Sequence, residues 1–412
     1  MIPRLKPYLD HKELAAIFSD NRNAVKDFEE KLAAKFKAKY GVAFLYGRSG
    51  LYALLKCLGI KDSEVIVPAY TCMVVPNAVA YSGNIPRFVD ITLDNYNMDF
   101  SLLEKTINDK TKVIVATSLF GYPYDVDRLK DIIKRSGRDI LLIQDCAHSF
   151  DAEYKNELLC NMGDAALFAF SITKPITSLY GGMITTNSEE IYEKLKKYRR
   201  DNFTEPHLLE NLKMLGLFLT AYVAFFDPFY GFVNFLERRT AVLDPIVKYY
   251  REDAIDMPKD YLSKLPDLNA RIGSIQLDKY DKIKSRSVGI AKFYHNALRD
   301  LEGMTSVPLI EGSTYLYCVS MVDRRQEFVE YMRKKGIQIG TYIEYAVPYM
   351  KAYEKYSDKN YPNAYACSRN IINLPSYPSL SDADLARIAE YVVRYFKPRN
   401  AGGRLRRSNG PL

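Results

Sequence analysis

Apolar and polar positions change period along the chain in a way that marks out its elements. At 24–37, Val25, Phe28, Leu32 and Phe36 recur at helical spacing and predict an amphipathic helix. A short apolar run at 42–45 predicts a strand. It passes into the Gly-Arg-Ser-Gly segment at 47–50, read as a turn, and a helix is expected at 51–58. Apolar runs at 64–70, 85–91, 113–120 and 139–147 are then interleaved with helical stretches, those at 101–108 and 125–137 among them. Strands alternating with helices at this pace predict βαβ units and a mainly parallel sheet. A further strand is expected at 165–170. Beyond residue 269 the pattern reads as a smaller α+β region: a helix from about 274 to 294, a strand at 314–322, a helix at 324–336 closed by Gly336, a strand at 337–345 and an amphipathic helix at 382–396.

The alternation also places chemistry. Asp145 closes the apolar run at 139–147 and His148 follows three residues later; the run at 165–170 leads into Ser171 and Lys174. Open α/β sheets bind ligands at the carboxyl ends of their strands, so an acid, an imidazole, a hydroxyl and an amine are expected at one edge. Each has a plainer reading: Asp145 as a helix N-cap, His148 as a buried structural histidine, Lys174 as a solvated turn lysine. Against the last, Lys174 lies beside an apolar strand and before a Gly-Gly pair, where partial desolvation makes an amine a usable nucleophile for a Schiff base. The Gly and Ser residues at 47–50 precede a helix N-terminus, whose free N–H groups and dipole suit a phosphate, although such residues are also common in tight turns. A phosphate-suited turn, a strand-end carboxylate and a lysine are the three functions that pyridoxal phosphate requires: a cradle, a partner for the pyridine nitrogen and an amine for the aldehyde.

Composition narrows the alternatives. The chain has 412 residues, 48% of them apolar, enough for two domains or one large domain with an appendage. Its net charge of +8 is spread among acidic residues rather than gathered in a stripe, which argues against a nucleic-acid partner. The six cysteines form no Cys-x-x-Cys pair and no metal-ligand spacing with the four histidines, so free thiols in a reducing cytosol and no metal are expected. Two prolines and several charges interrupt the first residues, and no signal peptide is read there.

In sequence the chain resembles the DegT-like sugar aminotransferases, within the fold-type-I class of pyridoxal-phosphate enzymes. The resemblance runs from about residue 28 to about 396. It rests on FEEKLAAKF, GRSGLYALLKCLG, EVIVPAYT, PRFVDIT, TKVIVATSLFGYPYDVDRLKDI, QDCAHSF, GDAALFAFSITKPITSLYGG, NARIGSIQL and NIINLPSYPSLSD, in that order. It implies an α/β fold: a three-layer α/β/α large domain at 1–240 with a mainly parallel sheet and an insertion at about 205–240, a smaller C-terminal α+β domain at 241–398, and a disordered tail at 399–412. It further implies that Lys174 carries the aldehyde of pyridoxal 5'-phosphate and later shuttles a proton, that Asp145 pairs with the ring nitrogen and that His148 sits by the phenolic oxygen. Ser49 and Gly50 would hold the phosphate, and Asn269 would reach across a homodimer interface to the partner's phosphate. The implied reaction moves an amino group from an amino acid, usually glutamate, to a keto-sugar nucleotide in polysaccharide or glycan biosynthesis. The alternatives are a dehydratase-like relative and a catalytically silent scaffold.

The sequence departs from the family pattern in places. Ala169 stands where a phosphate-binding serine is common, with Ser171 as its substitute. Leu51 replaces a threonine, Tyr180 a glutamate, and Cys72 an aromatic that stacks on the ring, leaving Tyr70 or another tyrosine for that role. Lys174 is kept, which argues against the dehydratase branch, where histidine takes its place. The insertion holds an apolar stretch at 214–226, a break at Asp227 and Pro228, and a second stretch to 236. The first is shorter than the roughly 20 residues a membrane-spanning helix needs. Three readings stand: 214–236 lies in a membrane interface, a shallow re-entrant hairpin being one form, making the enzyme cytoplasmic at the inner membrane face; it packs as an added helical pair against the body or a dimer partner; or it spans the bilayer.

Overall fold

The computed structural model describes residues 1–225 and 253–397. A seven-stranded sheet forms the centre: β1 Tyr40–Phe44, β2 Glu64–Pro68, β3 Ile85–Val89, β4 Thr111–Thr117, β5 Leu141–Asp145, β8 Ala165–Ala169 and β9 Gly182–Thr186, in the spatial order β1-β9-β8-β5-β4-β2-β3. A small hairpin, β6 Glu153–Tyr154 and β7 Glu157–Leu158, precedes β8. Six of the seven strands point the same way; β9 alone runs against its neighbours β1 and β8. Parallel strands covered on both faces need apolar residues at successive positions. In β4, Val113 and Val115 enter one layer and Ile114 and Ala116 the other, all buried.

One face of the sheet is covered by α3 Gly47–Cys57, α4 Val74–Tyr81 and α7 Glu189–Asn202, and part of the other by α5 Phe100–Thr106 and α6 Val126–Arg135. Several starts are set by side chains that accept otherwise unpaired N–H groups: Asp99 from Ser101, Asp125 from Arg128 and Ser188 from Ile191. The short α1 His11–Ala15 is followed by α2 Ala24–Lys35, whose Phe28 and Leu32 are buried against Phe168 and Met183 of the sheet. The result is the expected three-layer α/β/α arrangement around a mainly parallel sheet.

After α8 Leu208–Ala224, the 32-residue α9 Asp267–Leu298 ties the two halves together. Its early Leu277 and Tyr280 belong to the large core, and its late Tyr294 and Leu298 to a second core around the antiparallel sheet β10 Met304–Ser306, β11 Cys318–Val322 and β12 Ile371–Leu374. The helices α10 Arg325–Lys334 and α12 Asp382–Phe396 cover that second sheet, and α11 Pro362–Asn370 leads into β12.

Several elements differ from the sequence reading. The segment at 47–50 is the first turn of α3 and not a turn ahead of it. α9 starts seven residues earlier than expected, directly after Pro266, a residue that pre-sets the backbone for a helix start. β11 begins only at Cys318, because Tyr315 holds a left-handed φ of 51° that no strand tolerates. The run at 337–345 forms no ladder. It makes isolated bridges, Ile2 with Ile337 and Gly340 with Asn373, and otherwise folds over a cavity. α8 turns Met214, Phe218 and Ala221 onto the body beside Leu179 and Ile272, while Leu219 and Val223 remain exposed. No helix among the described residues is long and apolar enough to cross a membrane. The second apolar stretch to 236, the domain boundary at 240 and the tail at 399–412 lie outside the described residues.

The crossing of α2 and α9 depends on Gly273, where a Cβ would lie 2.6 Å from Phe28 Cζ. Phe28 cannot retreat, being packed edge-on against Phe170 with ring centroids 5.2 Å apart. Gly273→Val is therefore expected to lower stability by about 1–3 kcal/mol, read as a lower urea midpoint. Gly289→Ala on the same helix, facing open space, should hold or raise the midpoint through helix propensity.

Candidate active site

The carboxyl ends of the parallel strands open into a cavity of about 270 Å³. The loops after β1, β2, β4, β5 and β8 deliver Arg48, Cys72, Leu119, His148 and Lys174 to its wall, and the run after α10 closes it with Tyr342 and Tyr345. Asp145, His148, Ser171 and Lys174, each expected at a strand end, thus face one space.

Asp145 is the last residue of β5 and only 4% exposed. Its Oδ1 accepts the Ala147 N–H at 3.1 Å and its Oδ2 accepts the Thr117 hydroxyl at 3.3 Å. Burial pushes its pKa up, while the Ala147 N–H, the Lys174 charge and Thr117 pull it back. A buried carboxylate with two weak donors and a nearby cation is a natural seat for a protonated ring nitrogen.

His148 is likewise buried, and its Nδ1 accepts the Phe120 N–H at 3.3 Å. That bond puts the proton of the neutral ring on Nε2. Burial first, and Lys174 second, hold its pKa well below 6.5. Its ring lies among Phe120, Tyr317 and Tyr342, with the Tyr317 centroid at 4.6 Å. Phe120 donates this bond from a left-handed conformation, φ 57°, a strained state of the sort that clusters at functional sites.

Lys174 is half-buried in the loop after β8. Its own N–H closes a turn on Ser171 O at 2.9 Å. The preceding carbonyl, Thr173 O, accepts the phenols of Tyr317 (2.7 Å) and Tyr342 (3.0 Å). The C-terminal half therefore fixes the loop that carries the amine.

At the other wall, α3 starts with Gly47 and Arg48 on the cavity lining, while Ser49 and Gly50 lie just behind. Ser49 Oγ and Arg48 Nη1 are buried without hydrogen-bond partners among the described residues. The start of α3 is held by a close approach: a Cβ on Gly182 would fall 2.2 Å from Gly47 N. Gly50 has the same need at lower severity, a Cβ meeting Ile184 at 3.0 Å and Phe44 at 3.1 Å. Two orphaned buried donors at a helix N-terminus, an amine and a buried carboxylate fit a ligand bearing a phosphate, an aldehyde and a basic ring nitrogen.

Two expected residues lie elsewhere. Tyr70 is fully buried with its hydroxyl given to Ile343 O at 3.0 Å, so it does not substitute for the stacking aromatic that Cys72 lacks; the tyrosines on the lining are Tyr46, Tyr180, Tyr342 and Tyr345. Asn269 is fully buried in the first turn of α9 under Met214, donating to Ser178 O at 2.7 Å and Tyr180 O at 3.2 Å, outside the cavity of its own chain. Sequence reasoning missed Arg48, hidden in a segment read for its Gly and Ser, and Thr117, whose signal was its place at the end of an apolar strand. It also missed Phe120, Tyr317 and Tyr342, which no local pattern separates from the other tyrosines and phenylalanines.

Residues 13–214 and 248–393 match the DegT/DnrJ/EryC1/StrS aminotransferase family. Among curated relatives, a GDP-perosamine synthase of Escherichia coli O157:H7 is 27% identical, covering 96% of this chain and 98% of its own. A dTDP-3-amino-3,6-dideoxy-alpha-D-galactopyranose transaminase of Aneurinibacillus thermoaerophilus is 28% identical over 90% of each chain. Among solved structures, Helicobacter pylori PseC, an aminotransferase involved in the biosynthesis of pseudoaminic acid, superposes with a TM-score of 0.76 at 20% identity, covering 96% of this chain and 99% of its own.

The lowered pKa of His148 means that the unfolded chain binds the proton more readily than the folded one. Its contribution to stability is whole above the ordinary value of 6.5 and is lost as pH falls below it. Thermal melts from pH 7.5 to 5 should show this acid-side loss, and His148→Asn should flatten it; an unchanged slope would mean that the histidine is not held neutral.

Proposed function

The chain belongs to the DegT/DnrJ/EryC1/StrS aminotransferase family, and on that premise we propose that it is a pyridoxal-phosphate-dependent transaminase whose acceptor is a keto-sugar nucleotide. The proposed donor is an amino acid, with glutamate first, and the proposed setting is polysaccharide or glycan biosynthesis. One observation carries the reading: Lys174 and Asp145 line the same cavity, facing a helix N-terminus with orphaned buried donors. The full-length relatives named above support the sugar-nucleotide acceptor.

When bound, the cofactor supplies an electron sink for the carbon that gains or loses the amino group. Lys174 Nζ would hold the cofactor by its aldehyde and would move the proton at the reacting carbon. The Asp145 carboxylate holds the positive charge of the ring nitrogen, its burial strengthening the attraction. His148, neutral and with its proton on Nε2, donates to an oxygen without adding charge. Ser49, the start of α3 beside Gly50, and Ser171 would hold the phosphate. The Tyr317 and Tyr342 phenols keep the lysine loop in place while the amine swings.

We propose a homodimer; Asn269, fully buried under α8 with its Nδ2 given to Ser178 O and Tyr180 O, is not placed to reach a partner's phosphate. The surface of α8 favours an added contact: its inner side is occupied by the chain's own core, and Leu208, Leu212, Leu219 and Val223 stay exposed. Peripheral contact of 214–236 with the inner membrane face is the companion proposal and would place a cytoplasmic enzyme at that surface. Sedimentation should give a particle of twice 47.3 kDa, and flotation with anionic vesicles should carry the protein upward. A 47.3 kDa monomer would sink the first idea, and protein left at the bottom of the gradient the second.

The cofactor-loaded protein should absorb in the visible and lose that band on addition of glutamate. Lys174→Ala should slow this half-reaction on the order of 10²–10⁴-fold, and borohydride should no longer fix the cofactor to the chain. A variant that bleaches at the wild-type rate would remove Lys174 from the chemistry.

A further inference from the structure

We propose that the guanidinium of Arg48 binds the cofactor's phosphate, as a residue of this chain's own that completes the cradle at the start of α3. The inference rests on the pyridoxal-phosphate reading above. Arg48 is the second residue of the eleven-residue α3 and lines the cavity between Gly47 and Leu51. It is only 9% exposed, and its Nη1 is sealed from solvent with no hydrogen-bond partner.

A buried cation normally comes with an anion, because the cost of desolvating it is otherwise uncompensated. Arg48 has none among the described residues. Its guanidinium lies 5.5 Å from the centre of the Tyr46 ring, a contact that steadies its plane without satisfying its donors. One of the two carboxylates that act on Arg48, Asp260, is already engaged by the Tyr46 hydroxyl at 2.9 Å and by Lys213 at 3.9 Å. Burial lowers the pKa of Arg48, and Cys72, Tyr46, Asp256 and Asp260, in that order, oppose the shift without making a hydrogen bond to Nη1. The side chain is therefore held charged, buried and aimed at a space that an anion must fill.

Phosphate suits that space better than a carboxylate. The guanidinium fork offers parallel donors that match phosphate oxygens, and the first N–H groups of α3 add a second set beside it. Leu51 and Ala169 on the lining offer no hydroxyl, so the guanidinium adds to the hydroxyls of Ser171 and Ser49. Lys174 and Asp145 are the groups suited to an aldehyde and a ring nitrogen, which leaves the Arg48 end for the phosphate of the same molecule. A diphosphate from the acceptor is the other source with this chemistry, and the experiment separates the two.

The test uses the full-length protein stripped of cofactor, titrated with pyridoxal phosphate and with pyridoxal, which lacks the phosphate. Arg48→Gln should weaken pyridoxal phosphate by roughly tenfold to a hundredfold, the range expected for one charged hydrogen-bonding group. Pyridoxal affinity should stay unchanged, which also shows that the variant folds, and Arg48→Lys should recover part of the loss. Inorganic phosphate should raise the Tm of the stripped wild type and not that of Arg48→Gln. Equal affinity of wild type and Arg48→Gln for pyridoxal phosphate would overturn the assignment. If KM for the sugar nucleotide rose instead, the guanidinium would belong to the acceptor's diphosphate. A wild type that bound neither pyridoxal phosphate nor pyridoxal would overturn the cofactor reading itself.

Discussion

The common direction of six strands in the central sheet is the constraint from which the site follows. Co-directional strands must be joined by crossovers, so every carboxyl end emerges at one edge and every following loop starts there. Tyr46, Thr71, Thr117, Asp145 and Ala169 reach the cavity for this single reason. The exception serves the same edge: β9 is reversed, so its amino end brings Gly182 up against Gly47. A bare backbone there lets α3 begin close to the ends of β8 and β9.

The sheet edge alone would leave the cavity open and the lysine loop loose. The C-terminal half supplies the rest through polar contacts that are buried or nearly so. Tyr317 and Tyr342 bind Thr173 O, Tyr70 reaches Ile343 O, and Val347 N–H donates to Ala69 O. Such bonds contribute about 1 kcal/mol each, but an unpaired buried partner costs more, so they act as registration pins. The amino-terminal segment is fixed in a similar way. Glu13, fully buried, accepts from Lys279 Nζ and Gln276 Nε2 of α9, both at 2.7 Å. That pair holds the strand of chain whose Arg4 and Leu5 complete the cavity wall.

The cavity is also polarised. Asp145 puts a carboxylate at one side and Arg48 a cation at another, with no ion pair between them, and His148 stays neutral because burial and Lys174 both oppose its charging. Asp145 and Arg48 carry their charge at buried positions, where desolvation opposes it. A ligand carrying a basic nitrogen and a phosphate is complementary to both ends at once.

Much of this was legible in the sequence. The period of the apolar runs determined the α/β alternation, the parallel sheet and even the bounds of the last helix, Asp382–Phe396, since burial of a face imprints directly on local order. Strand-end placement likewise pointed to Asp145, His148, Ser171 and Lys174. What the tertiary structure decided is which residues lose their solvent or gain a partner far away in the chain. Thr173 meets Tyr317 across 144 positions, Asn269 disappears under α8, Tyr70 spends its hydroxyl on Ile343, and Arg48 is buried with Nη1 unpartnered among the described residues. Periodicity reports which side of an element is buried. It carries no record of what packs there, and the partner determines whether a polar group is satisfied, strained or waiting for a ligand.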